Sequence, residues 1–525
     1  MPHDLSETLP AITDALFVRA ADSPDAFAFG AAGEQLTWRA LLDDSLRAAG
    51  TLAAHGLTAG ARCALVLPTG LPFVRALFGA QLLGAVPVAI NPRLPPAQIA
   101  RRVRDLACTC VVVSDESSGT IAGVGRDTSV VNASDLGRGR AIPRGDLPPA
   151  DPEALSHLQL TSGTTGEPRA AMLRHRQLIA SIAASRELIE PVPEDLLVGW
   201  LPLHHDFGLV RFVFAPLFFG CGCYLVGASM ASIPTWLQTI SRTRATITAG
   251  PDSAFRLATR LVPCGRVDLR SLRIATSGGE PVRVSSIAAF ESHFEVPGVV
   301  RPGYGLAEAT LGVTALRRGE PLRTDASGAP SCGRPLSGFS IRIVDNAGTE
   351  QPAGTPGEIL ISGPAVFAGY LDDPEGTREM LRDGWLHTGD LGAQDEDGHL
   401  YVHGRSRAMI KRGGAAIAPR EIEEAVDEVA SVRRSAAVGV RAGEHAATEH
   451  VIIVAEVERR IGGEERDAIR RSIHERVRET AGFAPHDVRL VAPGTIPKTG
   501  SGKVRYQELR KALESSTLVD PEPRS

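Results

Sequence analysis

Residues 161–166 combine hydroxyl side chains with glycines, directly after a short apolar stretch and shortly before a basic residue, Arg169. Glycines allow the backbone to turn tightly and to bring its N–H groups close to an anion, and the hydroxyls add further donors. This combination suits a polyphosphate, although an isolated Ser/Thr/Gly loop is more often a plain turn. The P-loop pattern G-x-x-x-x-G-K-[ST] does not occur in the chain. The segment consists of Thr161, Ser162, Gly163, Thr164, Thr165 and Gly166.

Two further glycine-containing segments carry side chains that could hold a nucleotide. Gly278 and Gly279, followed by Glu280, end an apolar stretch, and glycines at a strand end allow a flat ligand to approach closely. In the second segment Tyr304 could stack on a purine and Glu308 could bind Mg²⁺. Taken alone, the first segment is an ordinary loop, and the second holds a core tyrosine and a solvated glutamate.

Two charged groups follow later in the chain. Asp390 comes after a predicted tight turn at residues 385–389, where its carboxylate could accept hydrogen bonds from two sugar hydroxyls. Only four of the 56 basic residues are lysines, and Lys503 ends a glycine-rich segment, residues 494–503. A lysine on such a loop can neutralise charge that develops on a carboxylate and an α-phosphate. Lys498, in the same segment, is predicted to be an exposed loop residue.

In their order and spacing these motifs resemble those of the adenylate-forming superfamily, which includes acyl-CoA synthetases, fatty acyl-AMP ligases, adenylation domains and luciferases. The resemblance runs from about residue 11 to residue 513. The motif sequences are most similar to those of fatty acyl-AMP ligases, as in Gly-Leu-Ala-Glu-Ala-Thr at 305–310. Residues 201–208, Leu-Pro-Leu-His-His-Asp-Phe-Gly, resemble that family's Leu-Pro-Leu-Tyr-His-Asp-Met-Gly.

The resemblance implies ATP and Mg²⁺ as cofactors and a role for each candidate residue. Catalysis is expected from Lys503, His205 and Glu308. ATP is expected to contact Thr161, Ser162, Gly163, Thr164, Thr165, Gly166, Arg169, Gly278, Gly279, Glu280, Tyr304, Gly305, Asp390 and Arg405. The metal is expected at Glu308 and Thr161. The acid substrate is expected at His205, Asp206, Phe207, Phe212, Gly279 and Gly303.

Five features depart from the family pattern. Arg169 replaces the usual lysine, which keeps the charge but changes its geometry, and Ala307 lacks the hydroxyl that other relatives direct at the α-phosphate. Ala408 stands where an acidic residue is usual, and alanines replace larger residues at 415, 416 and 418. The connection 310–331 is shorter than the insertion typical of fatty acyl-AMP ligases. The last three features bear on the acyl acceptor.

The elements that must position these groups follow an α/β pattern. Helical and strand patterns alternate over residues 36–113 and 177–290, which predicts layered α/β structure with a largely parallel sheet. We predict an N-terminal domain over residues 1–404, containing a β-rich subdomain at about 335–404. A hinge at 405–408 and a small α+β domain at 409–525 complete the prediction. The resemblance implies that the small domain is a mobile lid that carries Lys503.

Composition excludes several classes of function. A net charge of −5 gives no basic footprint for nucleic acid. The first residues lack a basic segment followed by an apolar core, and seven cysteines fit a reducing compartment, so we expect a cytoplasmic protein. The C-x-C pairs, Cys108/Cys110 and Cys221/Cys223, are predicted to be buried thiols rather than zinc ligands.

An uncharged stretch at residues 212–233 is long enough to be considered as a membrane span. Its proline and glycines instead predict a buried helix to about residue 219, a turn, and a buried strand over 221–226. We therefore expect no membrane span.

The predicted function is ATP-dependent activation of a carboxylic acid, most simply a fatty or lipophilic acid, as acyl-AMP. A phosphopantetheine thiol, that of an acyl carrier protein or of CoA, then takes the acyl group, and the wording of the motifs favours the carrier. The alternatives are an acyl-CoA or aryl-CoA synthetase, an enzyme with a non-thiol acceptor such as an amine, and a non-catalytic adenylate-binding protein. The sequence leaves the oligomeric state open.

Overall fold

The structure is a computed structural model that describes residues 9–115, 124–125, 127–161, 168–412, 415–441, 449–458, 462–498, 504–515 and 518. In chain order the helices are α1 (Ile12–Asp22), α2 (Trp38–Ala54), α3 (Leu71–Leu82), α4 (Pro96–Asp105), α5 (His175–Ile189), α6 (Asp206–Leu209), α7 (Ala215–Phe219), α8 (Ile233–Thr243), α9 (Asp252–Leu261), α10 (Val284–His293), α11 (Pro374–Met380), α12 (Pro419–Asp427), α13 (Gly463–Ala481) and α14 (Tyr506–Glu514).

The strands are β1 (Phe27–Ala31), β2 (Glu34–Thr37), β3 (Arg62–Val66), β4 (Val86–Ala89), β5 (Cys108–Val113), β6 (Ser129–Asn132), β7 (Leu155–Thr161), β8 (Arg169–Arg174), β9 (Leu196–Gly199), β10 (Gly222–Leu225), β11 (Ile247–Gly250), β12 (Ile274–Ser277), β13 (Val300–Gly305), β14 (Gly312–Ala315), β15 (Arg334–Pro335), β16 (Ser340–Val344), β17 (Gly357–Ser362), β18 (Leu381–Arg382), β19 (Trp385–Gln394), β20 (Leu400–Arg405), β21 (Ile410–Arg412), β22 (Ala415–Ile417), β23 (Val432–Arg441), β24 (Glu449–Val457) and β25 (Asp487–Val491).

Two large sheets, built mainly from parallel strands, form the centre of the described chain. One has the order β15-β14-β13-β12-β11-β9-β10-β1-β2, and the other has the order β6-β5-β3-β4-β7-β8. Strands β9, β11, β12 and β13 are parallel neighbours, so their carboxyl ends lie at one edge. Strands of such sheets are apolar throughout because helices cover both faces, and each residue of β4 is buried. The largest apolar cluster extends from Ile12 to Leu400.

A mainly antiparallel sheet of β16 to β20 follows these two sheets. Strand β19 pairs with both β17 and β20, and its register places Asp390 opposite Arg405. Beyond it, the antiparallel pair β23 and β24 with the parallel strand β25 packs against α12 and α13. This last part of the described chain has an apolar cluster of its own, which begins at Ile410 and extends to Leu490.

These elements confirm the predicted α/β fold. In the 212–233 stretch the chain forms α7, a left-handed glycine at Gly220 and then β10, as predicted. Nowhere in the described residues is a helix both long and apolar enough to cross a bilayer. The cysteines of both C-x-C pairs are buried, and the described residues hold no cluster of three or more potential metal-ligating side chains of His, Cys, Asp and Glu. The domain boundaries and the hinge stay predictions.

Candidate active site

A cavity of about 1260 Å³ opens where the carboxyl ends of β9, β11, β12 and β13 meet the β16–β20 sheet. Ligands of open α/β sheets bind at this edge, because chain crossovers leave a crevice there. The cavity wall includes many of the predicted site residues, which the fold brings together from distant parts of the chain. They are Thr161, Arg169, His205, Asp206, Phe207, Gly278, Gly279, Gly303, Tyr304, Gly305, Glu308 and Arg405.

One end of the cavity is polar and is organised by Asp390. The Tyr304 hydroxyl donates a hydrogen bond to Oδ2 of Asp390 at 2.7 Å, and Nε of Arg405 lies 2.9 Å from Oδ1. Burial and the nearby carboxylate raise the pKa of Tyr304 well above its usual value, and Asp390 raises that of Arg405. Asp390 thus holds an aromatic ring and a cation in fixed positions at the cavity wall.

The setting of Asp390 differs in two ways from the prediction. It lies within strand β19 rather than after a tight turn, because the strand continues through Gly389 despite that residue's positive φ of 67°. Tyr304 and Arg405 line the cavity, whereas Asp390 does not. Oδ2 of Asp390 already accepts from Tyr304, and Oδ1 is paired with Arg405. If Asp390 also bound both ribose hydroxyls, each oxygen would have to accept from a protein group and from a hydroxyl at once.

Glu308 lies in a short 3₁₀ turn, Ala307–Ala309, and is 9% exposed. The Tyr370 hydroxyl donates to its Oε1 at 2.6 Å. The Arg169 guanidinium lies 5.2 Å from the centre of the Tyr370 ring and forms an ion pair with Asp373 at 3.2 Å. Arg169 is therefore positioned through an aromatic ring and a carboxylate, next to the predicted metal ligand.

Sequence analysis missed Tyr370 and Asp373. The segment around Tyr370 forms backbone hydrogen bonds with β8, for example from the Met172 N–H to the Gly369 carbonyl at 2.9 Å. This pairing joins parts of the chain that are almost two hundred residues apart. Asp373 also begins α11 by accepting from the Gly376 N–H, which is an ordinary capping signal. No local pattern distinguishes a site residue here from a plain cap.

The two ends of the predicted phosphate loop are held together. Strands β7 and β8 are antiparallel and pair Thr161 with Arg169. The Thr161 hydroxyl also lies 3.4 Å from the Arg169 carbonyl. Both residues line the cavity. The predicted phosphate contacts from Ser162 to Gly166 lie outside the described residues.

Another part of the cavity wall is built on the segment after β9. His205 precedes α6, the Leu209 N–H donates to its carbonyl at 2.9 Å, and its ring lies 4.6 Å from that of His204. Burial, with His205 and nearby arginines, lowers the pKa of His204 to about 3, so this ring is neutral. A Cβ on Gly208 would come within 2.2 Å of the Pro202 carbonyl oxygen, so only glycine fits at this close approach.

After α6 the helix widens into a π-helical turn, Val210–Phe214, before α7 begins. Such turns insert one residue into a helix and occur frequently at functional sites. Val210, Arg211 and Ala215 line the cavity, together with Leu311 of the neighbouring sheet edge. Phe212, a predicted substrate contact, does not line the cavity, because its ring is fully buried against Gly199 of β9.

In the turn after β12, Gly278 and Gly279 line the cavity, whereas Glu280 contacts α9. Gly279 has a φ of 81°, which favours glycine, and a Cβ on Gly278 would lie 2.8 Å from the Gly303 carbonyl oxygen. Glu280, a predicted nucleotide contact, is not among the residues that line the cavity. Its Oε1 accepts from the Ser253 N–H at 2.5 Å, where the free N–H groups and the dipole of α9 stabilise an anion.

The C-terminal part also contributes to the cavity wall. Lys498 was predicted to be exposed, but its side chain is only 27% exposed and lines the cavity. The physical reason is buried Glu456, which accepts from the N–H groups of Gly494 and Ile496 and from Nζ of Lys498 at 3.2 Å. Lys503 lies outside the described residues.

Comparison with known proteins agrees with this geometry. A model of the family described as AMP-binding enzyme matches residues 16–371. The medium-chain-fatty-acid–[acyl-carrier-protein] ligase JamA of Moorena producens is 30% identical over 92% of this chain and 90% of its own. A long-chain-fatty-acid–CoA ligase of Escherichia coli is 30% identical over 83% of each chain.

A solved structure from work on fatty acyl-adenylate ligases of E. coli and L. pneumophila has a TM-score of 0.86 and 27% identity. The match covers 97% of this chain and 99% of that one. The family match extends over more than half of the chain, and both relatives match most of its length, which confirms the resemblance found in the motifs. The chain belongs to the AMP-binding enzyme family and is an adenylate-forming ligase.

Proposed function

We propose that the protein uses ATP and Mg²⁺ to convert a fatty or related lipophilic acid to acyl-AMP, and then transfers the acyl group to a phosphopantetheine thiol. The observation that carries this proposal is the continuity of the cavity. Its wall presents the polar side chains of Tyr304, Glu308 and Arg405, together with apolar side chains, among them Val210 and Leu311. One cavity thus offers surfaces for a nucleotide and for an apolar acid.

In the first step, an oxygen of the carboxylate forms a bond to the α-phosphorus, and the bond from that phosphorus to the bridging oxygen breaks to release pyrophosphate. We assign the phosphates to loop 161–166 and Arg169, and the adenine to Tyr304 and the turn at Gly278. The ribose is assigned to Arg405, held by Asp390. We assign His205 to the reacting carboxylate, because it lines the cavity and precedes the helical segment that contributes Val210 to the wall.

Glu308 and Thr161 suit Mg²⁺, which takes oxygen ligands and is commonly bound through one or two carboxylates together with substrate phosphates. Both residues line the cavity, and the hydrogen bond from Tyr370 fixes the Glu308 carboxylate. When bound, the ion would neutralise phosphate charge. We assign to Lys503 the charge that develops at the reacting centre, since Lys498, five residues earlier, already reaches the cavity wall.

In the second step, a thiol sulfur attacks the acyl carbonyl and the bond to the AMP oxygen breaks. We propose the thiol of an acyl carrier protein as the acceptor. The motif sequences at 305–310 and 494–503 resemble those of fatty acyl-AMP ligases, which supports a carrier as the acceptor. JamA is an acyl-carrier-protein ligase by name. Ala415, Ala416 and Ala418 offer no side chain for the 3′-phosphate of CoA, which usually needs a basic contact.

CoA is the second candidate acceptor. Arg260 and Arg433 line a smaller cavity of about 520 Å³ between α9 and the C-terminal part, where they could meet a phosphate. The connection at 310–331 is short, and the E. coli relative is a CoA ligase by name.

Pyrophosphate release measured with ATP and a panel of aliphatic and aryl acids tests the first step. We expect activity with medium or long aliphatic acids, loss of about 100-fold or more in Lys503→Ala, and none in the exposed control Lys511→Ala. Thioester formation from synthetic acyl-AMP should survive in Lys503→Ala. The absence of pyrophosphate release with every acid would contradict the proposal.

Single-turnover thioester formation from acyl-AMP, with CoA or with a phosphopantetheinylated carrier protein, tests the acceptor. We expect the larger kcat/KM with a carrier. A larger value with CoA against several carriers would identify the enzyme as an acyl-CoA synthetase instead.

A further inference from the structure

Arg211 is a buried cation in the wall of the main cavity. It is the second residue of the π-helical turn and is only 4% exposed. Neither its Nε nor its Nη1 has a hydrogen-bond partner among the described residues. Arg19, which is equally buried, shows the contrast, because its Nε and Nη2 donate to the carbonyls of Leu217 and Phe218.

The energetic cost of this arrangement is large without a ligand. A charge without a partner in a protein interior destabilises the folded state, even after relaxation of its surroundings. Burial lowers the pKa of Arg211 to about 10, and no acidic group of the described chain offsets that shift. The side chain therefore remains protonated at neutral pH. A ligand with a negative charge would supply the counter-charge that the described residues do not provide.

Arg211 lies apart from His205, the residue that we assign to the reacting carboxylate. It follows His205 by six residues on the same helical segment, a distance of about 9 Å at the usual rise per residue. Helix α5 packs against the π turn and contributes Ser181 and Ser185 to the same cavity. Thr276, whose hydroxyl is also without a partner among the described residues, lines it as well.

We infer that Arg211 determines substrate specificity by binding a second carboxylate, at the end of the acid remote from the one that becomes the acyl phosphate. The inference rests on the proposed function and specifies its substrate class as dicarboxylic acids with an apolar chain between the two carboxylates. Sites built to hydrogen-bond a substrate group reject analogues that lack it far more strongly than apolar pockets reject a changed chain length.

The test compares acids of matched length in the pyrophosphate-release reaction of the full-length enzyme. Suberic acid carries the second carboxylate, its monomethyl ester keeps the length without the charge, and octanoic acid lacks the group. We expect kcat/KM for suberic acid to exceed the other two values by about 100-fold or more, as for other buried charge-assisted contacts. Adipic and sebacic acids would locate the best length.

Variants test the residue itself. Arg211→Met keeps the length and removes the charge, so suberic acid should lose its advantage while octanoic acid keeps or improves its kcat/KM. Arg211→Lys should retain part of the preference. Arg242→Met, an exposed arginine of α8 outside the cavity wall, should leave the preference unchanged. If the methionine variant does not fold, the preference of the parent enzyme and the lysine variant still decide the question.

Equal kcat/KM for octanoic and suberic acids in the parent enzyme would overturn the inference, as would equal loss for both acids in Arg211→Met. A preference for the monomethyl ester equal to that for the diacid would also overturn it. In all three cases pyrophosphate release with simple acids would leave the proposed function in place. Failure of every acid would instead overturn the proposed function and the inference with it.

Discussion

At the scale of single residues, the contacts of buried Asp390 with Tyr304 and with the more exposed Arg405 allow a direct test of nucleotide binding. Asp390→Asn keeps the size of the side chain but removes the charge that holds Arg405 at 2.9 Å. Charge-assisted hydrogen bonds are worth about 1.5–3 kcal/mol, so we expect the KM for ATP to rise about 10- to 100-fold. Steady-state kinetics over a range of Mg²⁺ concentrations should show no rescue by metal.

The matched control for this variant is Asp397→Asn. Asp397 pairs with Arg323 at the surface, where its side chain is 63% exposed, and ion pairs of that kind contribute little. An unchanged KM for ATP in Asp390→Asn, or an equal change in both variants, would argue against a nucleotide role for these contacts.

Glu308→Gln should behave differently from Asp390→Asn, because it removes a proposed metal ligand. The amide still accepts from the Tyr370 hydroxyl, so the local structure should be preserved. We expect weak adenylation that added Mg²⁺ partly restores. Tyr370→Phe removes only the donated hydrogen bond of 2.6 Å and should reduce activity less. Pyrophosphate release is measured for each variant over a range of Mg²⁺ concentrations. An identical Mg²⁺ dependence in Glu308→Gln and Asp390→Asn would contradict the assignment of Glu308 as a metal ligand.

Residue types and spacing predicted much of the cavity wall but not the partners of its side chains. Tyr304, Glu308 and Arg405 line the cavity, and their roles stay predictions. Phe212 and Glu280 do not line it, because the Phe212 ring packs against Gly199 of β9 and the Glu280 carboxylate accepts from an N–H group at the start of α9. Such competition between neighbours depends on tertiary contacts, which a local motif does not contain.

At the scale of elements, an ion-pair network joins α12 to the N-terminal part. Asp427 lies 2.7 Å from Nη1 of Arg256 and 2.9 Å from Nη1 of Arg283. Burial alone would raise the pKa of Asp427, but the two arginines outweigh it and hold the pKa below its usual value. This network connects α9 to the part of the chain that brings Lys498 to the cavity.

Asp427→Asn should therefore weaken the orientation in which Lys498 lines the cavity. Removing one partner of a buried pair costs about 3–5 kcal/mol, and we expect adenylation to slow by about tenfold or more as that orientation becomes less populated. Thioester formation from synthetic acyl-AMP should be unaffected. Both half-reactions are measured separately in single-turnover experiments.

Glu428→Gln is the matched control, since Glu428 is the next residue and pairs with Arg476 at the surface. It should leave both half-reactions unchanged. Equal loss of both half-reactions in Asp427→Asn would show that the network is needed only for folding.

Periodicity located most elements but not their long-range roles. The strand pattern at residues 487–491 coincides with β25, and the helical pattern at residues 419–429 continues two residues beyond the end of α12. The apolar strand pattern at residues 436–440 covers only part of β23, which begins at Val432 because pairing with β24 extends it through two arginines. Pairing across the sheet, rather than apolar pattern, determines where such a strand begins.

At the scale of the whole molecule, one buried carboxyl should make stability depend on pH. Glu423 accepts from Tyr506 at 2.8 Å and from the Ala437 N–H at 2.9 Å, yet burial raises its pKa to about 7. An acid whose pKa is raised by folding destabilises the folded state once it ionises. The free energy of unfolding should therefore fall as pH rises from about 4.3, the unfolded pKa, to about 7.

Glu423→Gln should remove this dependence. We expect the unfolding free energy of the variant, minus that of the parent, to grow by about 2.5 kcal/mol between pH 5 and pH 8. Urea denaturation at several pH values measures the difference, which separates Glu423 from other titrating groups. Glu475→Gln, on the exposed face of α13, should show no such trend, and a flat difference for Glu423→Gln would refute the expectation.

The π-helical turn at Val210–Phe214 has a consequence for how this pocket can diverge in evolution. An inserted residue rotates everything after it by about 100° around the helix axis. Loss of one codon in this segment would restore a regular helix and turn the side chains after it by about 100°, so that a different set would face the cavity. The chemical character of the pocket could thus change by a short deletion in the gene, without a single amino-acid replacement.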